Sequence, residues 1–236
     1  MRAWLGRLAA VSLLALVGTG VWLGGRWLLH PATLPLRQVE LAGELRHAAR
    51  AELEARLRPF VGGNFLAVPV AQVRLALESE PWVQRATVSR RWPDTLQVQV
   101  EERRPLARWG EGGLLDQAGR HFAGDLRDAS WLPLLVGPAG SEQALLQAHR
   151  LAEGRLSGLG LSVVELRQDA RGARRLRLGN GLELALGRRD FDRRLERFAL
   201  AYGPALAARS EAIARVDLRY ANGFAVRWKS PTAGRG

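Results

Sequence analysis

The sequence contains no cysteine, and lysine is nearly absent from it. Without thiols, the chain cannot form disulfides, bind zinc or iron–sulfur clusters through cysteine, or use a thiol nucleophile. Lys229 is the only lysine among 35 basic residues, which outnumber the 23 acidic residues and give a formal net charge of +12. The arginines are spread over nearly every segment, a pattern that favours a solvated surface over a nucleic-acid-binding patch. Since 47% of the residues are hydrophobic, the chain has enough apolar material for a packed core.

The residue patterns of catalytic and metal sites are also missing. No serine lies in a G-x-S-x-G or S-x-x-K motif, and no glycine-rich stretch ends in G-K-[ST]. The four histidines lack metal-ligand spacing, and His149, beside the apolar stripe of a predicted helix, is expected to be structural. Glu101 and Glu102 end an alternating strand and are interpreted as solvated charges on opposite faces. We therefore expect no enzyme, no metal, no cofactor and no small-molecule substrate.

One long uncharged run is present near the N-terminus. It extends from Leu8 to Gly25 and continues as an apolar stretch past Arg26 to Leu29. A helix of about 20 such residues spans a bilayer, so we predict a transmembrane anchor over residues 8–29. A cleavable signal peptide is the alternative, but the run is longer than a signal core and ends in Gly-Gly-Arg-Trp.

The charges that flank this run predict its orientation. Arg2 and Arg7 lie on the short segment 1–7, which the positive-inside rule places in the cytoplasm. The residues after the anchor would then lie outside the cytoplasm, an arrangement that argues against a nucleic-acid partner.

After a proline-containing linker at residues 30–35, the chain predicts a first domain over residues 36–104. Helical spacing of apolar residues and strict alternation give a β-α-α-β-β order, with two helices on one face of a sheet. The predicted elements are strand Arg37–Leu41, helices Ala48–Arg58 and Pro69–Glu78, and strands Val83–Arg90 and Thr95–Glu101.

Residues 105–229 predict a second domain, of mixed α/β type and built on an antiparallel-rich sheet, and residues 230–236 a flexible tail. Asn180-Gly181 is a strong hairpin turn because both residues tolerate positive φ. We predict helices at Glu142–Leu156 and Asp190–Ala207, with Gly203-Pro204 as a possible end or kink of the latter. The fold class is therefore α+β, with a single N-terminal transmembrane helix.

The last two predicted strands, Ile213–Tyr220 and Phe224–Trp228, form a terminal hairpin. Parity places Tyr220 on the apolar face of one strand, and Phe224 and Trp228 on one face of the other. One interpretation is that these aromatic side chains pack inward. The other is that a last strand near the chain end lies at a sheet edge and accepts a partner's strand.

Several motifs, in order along nearly the whole chain, resemble the FtsQ/DivIB family of bacterial cell-division proteins. In the first half they resemble its POTRA domain, and in the second half its β domain and terminal hairpin. The motifs are Gly62, Asn64 and Phe65, the segment Glu80–Val83, Trp92-Pro93, Leu115-Asp116, the segment Leu132–Pro138, and the segment Val216–Trp228.

This resemblance implies a non-enzymatic scaffold that links early and late division proteins at the septum. Its partners would be FtsB- and FtsL-like small bitopic proteins, together with other divisome proteins, bound through the last strand. The location would be the bacterial inner membrane, single-pass, with the N-terminus cytoplasmic and the bulk periplasmic. The matched partner-binding positions are Arg219, Tyr220, Asn222, Gly223, Phe224 and Trp228.

Within this set, Arg219 would pair with an acidic partner side chain, and Tyr220 and Trp228 would supply large contact areas. Asn222 departs from the residue found in enterobacterial members. A weaker candidate, for recruitment, is the POTRA sheet edge with Arg37, Val39 and Leu41.

A POTRA-containing accessory of outer-membrane assembly or secretion is the alternative function. Such proteins continue into further repeats or a long barrel, and too few residues follow Trp109 for either.

Overall fold

The structure, a computed structural model, describes residues 2–125 and 129–229, without the side chains of residues 2–11. The predicted tail at 230–236 lies outside the described residues. The chain divides between Arg103 and Arg104 into two compact units. The first consists of an N-terminal helix and a small sheet with two helices, and the second of a large sheet with two longer helices.

The N-terminal helix α1 (Arg2–Leu28) contains the uncharged run. Its side chains from Ser12 to Leu28 are exposed. Within the fully described residues, 12–125 and 129–229, no helix is long and apolar enough to cross a membrane. The predicted transmembrane anchor is thus not confirmed.

After α1, the first unit has the predicted β-α-α-β-β order. Its three-stranded sheet has the order β1-β3-β2, with β1 parallel and β2 antiparallel to the central strand. Both β1 and β2 are therefore edge strands. The elements are β1 (Gln38–Ala42), α2 (Arg50–Leu57), α3 (Val70–Glu78), β2 (Val83–Arg91) and β3 (Thr95–Glu102).

Alternation along β3 builds the core of this unit. Leu96, Val98 and Val100 are buried against Leu53 of α2 and Leu77 of α3. Each buried aliphatic side chain of this kind contributes roughly 1.5–3 kcal/mol. The helices consequently cover one face of the sheet, and the other face carries the polar residues of the same strands.

A buried asparagine ties the end of α1 to this unit. The Asn64 side-chain amide donates to the carbonyl oxygens of Leu28 (2.8 Å) and His30 (2.9 Å), while its oxygen accepts the N–H of Leu66 (2.9 Å). The N–H of Phe65 also donates to the carbonyl of Leu34 at 2.7 Å. The linker predicted at 30–35 is therefore held by main-chain and side-chain bonds.

The second unit is built on a nine-stranded sheet with the order β12-β11-β10-β9-β8-β7-β4-β5-β6. Its strand pairs are antiparallel except β4–β7, β7–β8 and β10–β11. Strand β12 and the two-residue strand β6 form its two ends. The elements are β4 (Pro105–Trp109), β5 (Leu114–Asp116), β6 (His121–Phe122), β7 (Leu134–Val136), α4 (Glu142–Leu156), β8 (Val163–Gln168), β9 (Arg174–Leu178), β10 (Glu183–Gly187), α5 (Phe191–Ala201), β11 (Ile213–Asp217) and β12 (Ala225–Trp228).

Helices α4 and α5 share one core with the sheet. Leu145 and Leu156 of α4 and Leu195 and Phe198 of α5 are buried in the cluster that contains the inward residues of the strands. His149 is buried there too, and its Nε2 lies 3.1 Å from the carbonyl oxygen of Val163. This contact agrees with the structural role expected for this histidine.

The end or kink expected at Gly203-Pro204 is confirmed: α5 ends at Ala201 and continues as a π-helical turn to Leu206, because Pro204 lacks the N–H that an α-helical bond requires. The predicted bounds of the last two strands are wrong. Strand β11 ends at Asp217, whose carboxylate accepts the N–H of Arg219 at 3.1 Å in place of a ladder bond. Strand β12 correspondingly begins only at Ala225.

Candidate functional site

Strand β12 lies at one end of the nine-stranded sheet and pairs with β11. The N–H of Lys229 donates to the carbonyl of Ala212 at 2.7 Å. Since successive residues of an antiparallel strand direct their N–H and C=O groups to alternate sides, those of Val226 and Trp228 point away from β11. Within residues 2–125 and 129–229, no other strand pairs with this side of β12. It therefore offers a free main-chain edge.

The three aromatic side chains of the terminal hairpin have different environments. Tyr220 is 59% exposed and Trp228 is 48% exposed, whereas Phe224 is partly buried and packs against the core. Inward packing thus describes Phe224 but not the other two side chains. Trp228 provides a large apolar surface on β12 itself, and Tyr220 provides another in the turn that precedes this strand.

Arg219 already has an acidic neighbour within the chain. Its Nη2 lies 2.6 Å from Oδ2 of Asp217, and its Nε donates to Oδ1 at 2.9 Å. These hydrogen bonds lower the pKa of the Asp217 carboxyl and raise the pKa of the Arg219 guanidinium. Arg219 remains exposed, so a partner carboxylate would share this guanidinium with Asp217.

The turn residues between the two strands are less constrained than their motif suggests. Asn222 is exposed and Gly223 is half-buried. A Cβ added at Gly223 would meet nothing within 4 Å. Glycine is thus not required at this position by the fold of the unit itself.

The turn is held in place by Arg197, a residue that no sequence motif indicated. Arg197 of α5 donates to three carbonyl oxygens, those of Ala221 (2.6 Å), Leu218 (3.0 Å) and Tyr220 (3.0 Å). The backbone around Tyr220 is therefore held in position by hydrogen bonds from Arg197. The only sign of this role in the sequence was that Arg197 directly precedes Phe198, a residue of the apolar stripe of the helix.

The second candidate surface, the edge strand β1, uses its side chains differently. The N–H groups of Arg37 and Gln38 donate to the carbonyl of Asp94 at 3.0 and 3.3 Å. Val39 and Leu41 are partly buried and pack against the core of their own unit, while Arg37 is exposed. This edge consequently offers main-chain groups and polar side chains, but no exposed aromatic residue within β1.

Glu102 is not the solvated charge that alternation predicted. Its Oε1 accepts the N–H groups of Arg46 (2.9 Å), His47 (2.9 Å) and Ala48 (2.7 Å), and its side chain is only 10% exposed. Burial opposes ionisation, but these backbone bonds outweigh it and lower the pKa of the carboxyl. The segment before α2 folds over this carboxylate, which therefore has a structural role.

In the part of the chain that the structure describes, no group of three or more His, Asp or Glu side chains is arranged to hold a metal ion. The buried carboxylates instead bond to nearby backbone and arginine groups. Asp116, for example, accepts the N–H groups of Ala118 and Arg120 at 2.9 Å each.

Comparison with known proteins defines the class of this two-unit architecture. The family "POTRA domain, FtsQ-type" matches residues 34–103, and the family "Cell division protein FtsQ/DivIB, C-terminal" matches residues 107–219. The chain thus has the domain order of a bacterial cell-division protein, and the resemblance stated from its motifs is confirmed.

Individual relatives match over most of their length. Cell division protein FtsQ of Allochromatium vinosum is 38% identical over 98% of this chain and 91% of its own length. The FtsQ proteins of Xanthomonas campestris pv. campestris and Hahella chejuensis are 37% and 36% identical, over 95% and 88% of this chain and 78% and 73% of their own length. This chain belongs to the FtsQ/DivIB family, whose role is in cell division and which is not a known enzyme family.

Proposed function

We propose that this protein is a non-enzymatic divisome scaffold that binds FtsB- and FtsL-like bitopic partners by accepting a partner strand at β12. The observation that carries the proposal is the free edge of β12, with exposed Trp228 on this strand and exposed Tyr220 in the turn before it. An added strand would bond to the outward N–H and C=O groups of Val226 and Trp228. The two aromatic side chains would supply most of the binding energy, as exposed Tyr and Trp residues do at interfaces.

The uncharged run of α1 supports a second part of the proposal. Residues 8–29 anchor the protein in the inner membrane, and residues 1–7, with Arg2 and Arg7, stay in the cytoplasm. The POTRA domain (36–104) and the β domain (105–229) then lie in the periplasm at the division septum. This topology brings the β domain to the same side of the membrane as the periplasmic segments of bitopic partners.

The edge of β1 is the candidate for recruitment to the septum. Exposed Arg37 and the main-chain groups of Val39 and Leu41 could bind an upstream division protein there. Fewer side chains are available for this contact than at β12, and the assignment is accordingly weaker.

A binding experiment with the full chain, solubilised in detergent, tests the proposal. The chain is co-expressed with the FtsB- and FtsL-like proteins of the same genome, and binding is compared for wild type, Tyr220→Ala and Trp228→Ala. Each substitution is expected to cost about 2 kcal/mol or more, which is about thirtyfold in affinity. Leu200→Ala is the matched control, because Leu200 of α5 is 75% exposed and apolar.

The fold of each variant is checked by circular dichroism. Correctly folded Tyr220→Ala and Trp228→Ala variants that bind like wild type and Leu200→Ala would refute docking at β12. Binding would then have to be sought at the edge of β1.

A further inference from the structure

The outer face of the nine-stranded sheet carries one continuous row of charged residues. Strand register places Glu165 opposite Arg177, Arg177 opposite Glu183, Glu183 opposite Arg215, and Arg215 opposite Arg227. From β8 to β11, the signs alternate at each step. At β12 the alternation stops, because Arg227 repeats the positive charge of Arg215.

The alternating part of the row consists of real ion pairs. Glu165 is buried between Arg167 and Arg177, and the Nε of Arg177 donates to its Oε2 at 2.9 Å. Burial opposes ionisation of this carboxyl, but the bonds from both arginines lower its pKa. Farther along the row, Nη1 of Arg215 lies 3.4 Å from Oε1 of Glu183. Each cation inside the row therefore has an acidic neighbour.

Arg227 differs from the other arginines of the row. Its side chain is exposed, and within residues 12–125 and 129–229 it forms no ion pair. Its cross-strand neighbour Arg215 has the same charge, and like charges directly opposite each other on two strands repel. An incoming strand would place its own side chain on the other side of Arg227, at the next position of the row.

We propose that the strand that docks on β12 carries an Asp or Glu opposite Arg227, so that the alternating row continues into the partner. This inference rests on the proposed strand addition at β12 and states the charge that the partner presents there. The partner carboxylate would offset the repulsion between Arg215 and Arg227. It would also fix the register, since a shift of the added strand by one residue turns its side chains to the other face.

Charge reversal in the full chain tests this inference, with the same co-expressed partners as probe. Arg227→Glu is expected to weaken binding about tenfold, because it replaces an attraction by a repulsion at the interface. Arg175→Glu is the control, because Arg175 is exposed on the same face of β9 and the change in net charge is identical. It is expected to leave binding within about twofold of wild type, since β10 and β11 separate it from β12.

A second arm identifies the partner residue. Lysine is introduced at each acidic position of the partner's docking segment, and one of these changes is expected to recover binding to Arg227→Glu while weakening binding to wild type. Such a recovery in a double-mutant cycle establishes the pair and its register.

The outcomes separate this inference from the proposed function. If Trp228→Ala loses binding and Arg227→Glu does not, the edge docks a partner but no acidic residue faces Arg227, which then only protects an open edge from aggregation. If both variants bind like wild type, docking at β12 is refuted together with the inference. An equal loss in Arg227→Glu and Arg175→Glu also overturns it, because the effect is then one of net charge.

Discussion

The edge strands β12 and β1 both present free main-chain groups, but they use their apolar side chains in opposite ways. Val39 and Leu41 of β1 pack into the core of the first unit. In the terminal hairpin, by contrast, Tyr220 and Trp228 are exposed. Arg197 donates three hydrogen bonds to the backbone of the turn that contains Tyr220. An open edge alone is common in sheets, so the exposed aromatic residues on a braced backbone are what distinguish a docking site.

The other end of the large sheet supports the same distinction. Strand β6 consists of only His121 and Phe122, and Phe122 is buried. Very short edge strands are one means by which proteins prevent unwanted strand pairing. The four-residue strand β12 is longer, and among residues 2–125 and 129–229 no strand pairs with its outer side, where Arg227 supplies a charge.

Proline substitution in the two edge strands is expected to have the largest effect, because it tests directly which edge binds the partner. Val226→Pro removes an N–H that points away from β11, so it is expected to spare the fold but weaken partner binding about a hundredfold. Val39→Pro is the matched change in β1, because the Gln38 N–H points inward and that of Val39 therefore points outward. Binding that survives the first change and disappears with the second would exchange the roles assigned to the two edges.

Removal of the Glu102 carboxylate would test whether the two units are independent. Glu102→Ala leaves the N–H groups of residues 46–48 without their acceptor, a loss of about 2 kcal/mol of local stability. Hydrogen exchange of these amides is expected to become about thirtyfold faster, while that of β12 is unchanged. Glu101→Ala is the control, because Glu101 is exposed on the same strand. Faster exchange at β12 in the Glu102 variant would contradict the separation.

The brace at Arg197 should have a smaller effect. Arg197→Met keeps much of the aliphatic bulk but removes the donors to the carbonyl groups of residues 218, 220 and 221, and partner binding is expected to weaken about tenfold. Arg193→Met serves as the control, since Arg193 is exposed on the same helix. If both variants bind like wild type, the orientation of Tyr220 does not depend on this arginine.

The smallest expected effect is that of pH, and it should be alike in both units. The pKa of Glu102 is lowered from its ordinary value of 4.5 and that of Asp217 from 3.8, so the folded state favours both carboxylates. Their stabilisation is fully present above these ordinary values and is lost as the pH falls through the lower folded values. The contribution of the two carboxylates to the unfolding free energy should therefore be constant between about pH 8 and pH 5. A loss of stability already at pH 6 that disappears in Glu102→Gln and Asp217→Asn would contradict this assignment.

Local patterns predicted those elements whose side chains contact near neighbours in the chain. Apolar spacing gave α4 its observed bounds, Glu142–Leu156, and the turn at Asn180-Gly181 joins β9 to β10 as expected. The role of Glu102 was missed because its three donors lie more than 50 residues earlier in the sequence. The row from Glu165 to Arg227 escaped notice for the same reason, since it exists only once strand order is known.

The candidate site could be predicted in part. The motif from Val216 to Trp228 indicated the correct segment, but periodicity could not decide whether Tyr220 and Trp228 are buried. Tyr220 lies outside β11 because this strand ends early, at Asp217, where a local side-chain bond replaces the ladder, whereas Trp228 lies at the other end of the hairpin, opposite Ile213.

The hydrogen bonds of Asn64 limit how far the POTRA domain can move relative to the end of α1. A flexible tether of the length of residues 30–35 would have an end-to-end distance of roughly 13 Å and would let the domain turn freely. Because Asn64 donates hydrogen bonds to the carbonyl groups of Leu28 and His30, the segment loses this freedom of movement. A rotation of α1 about its own axis would therefore be transmitted to the POTRA domain, and the helix and the domain would rotate together.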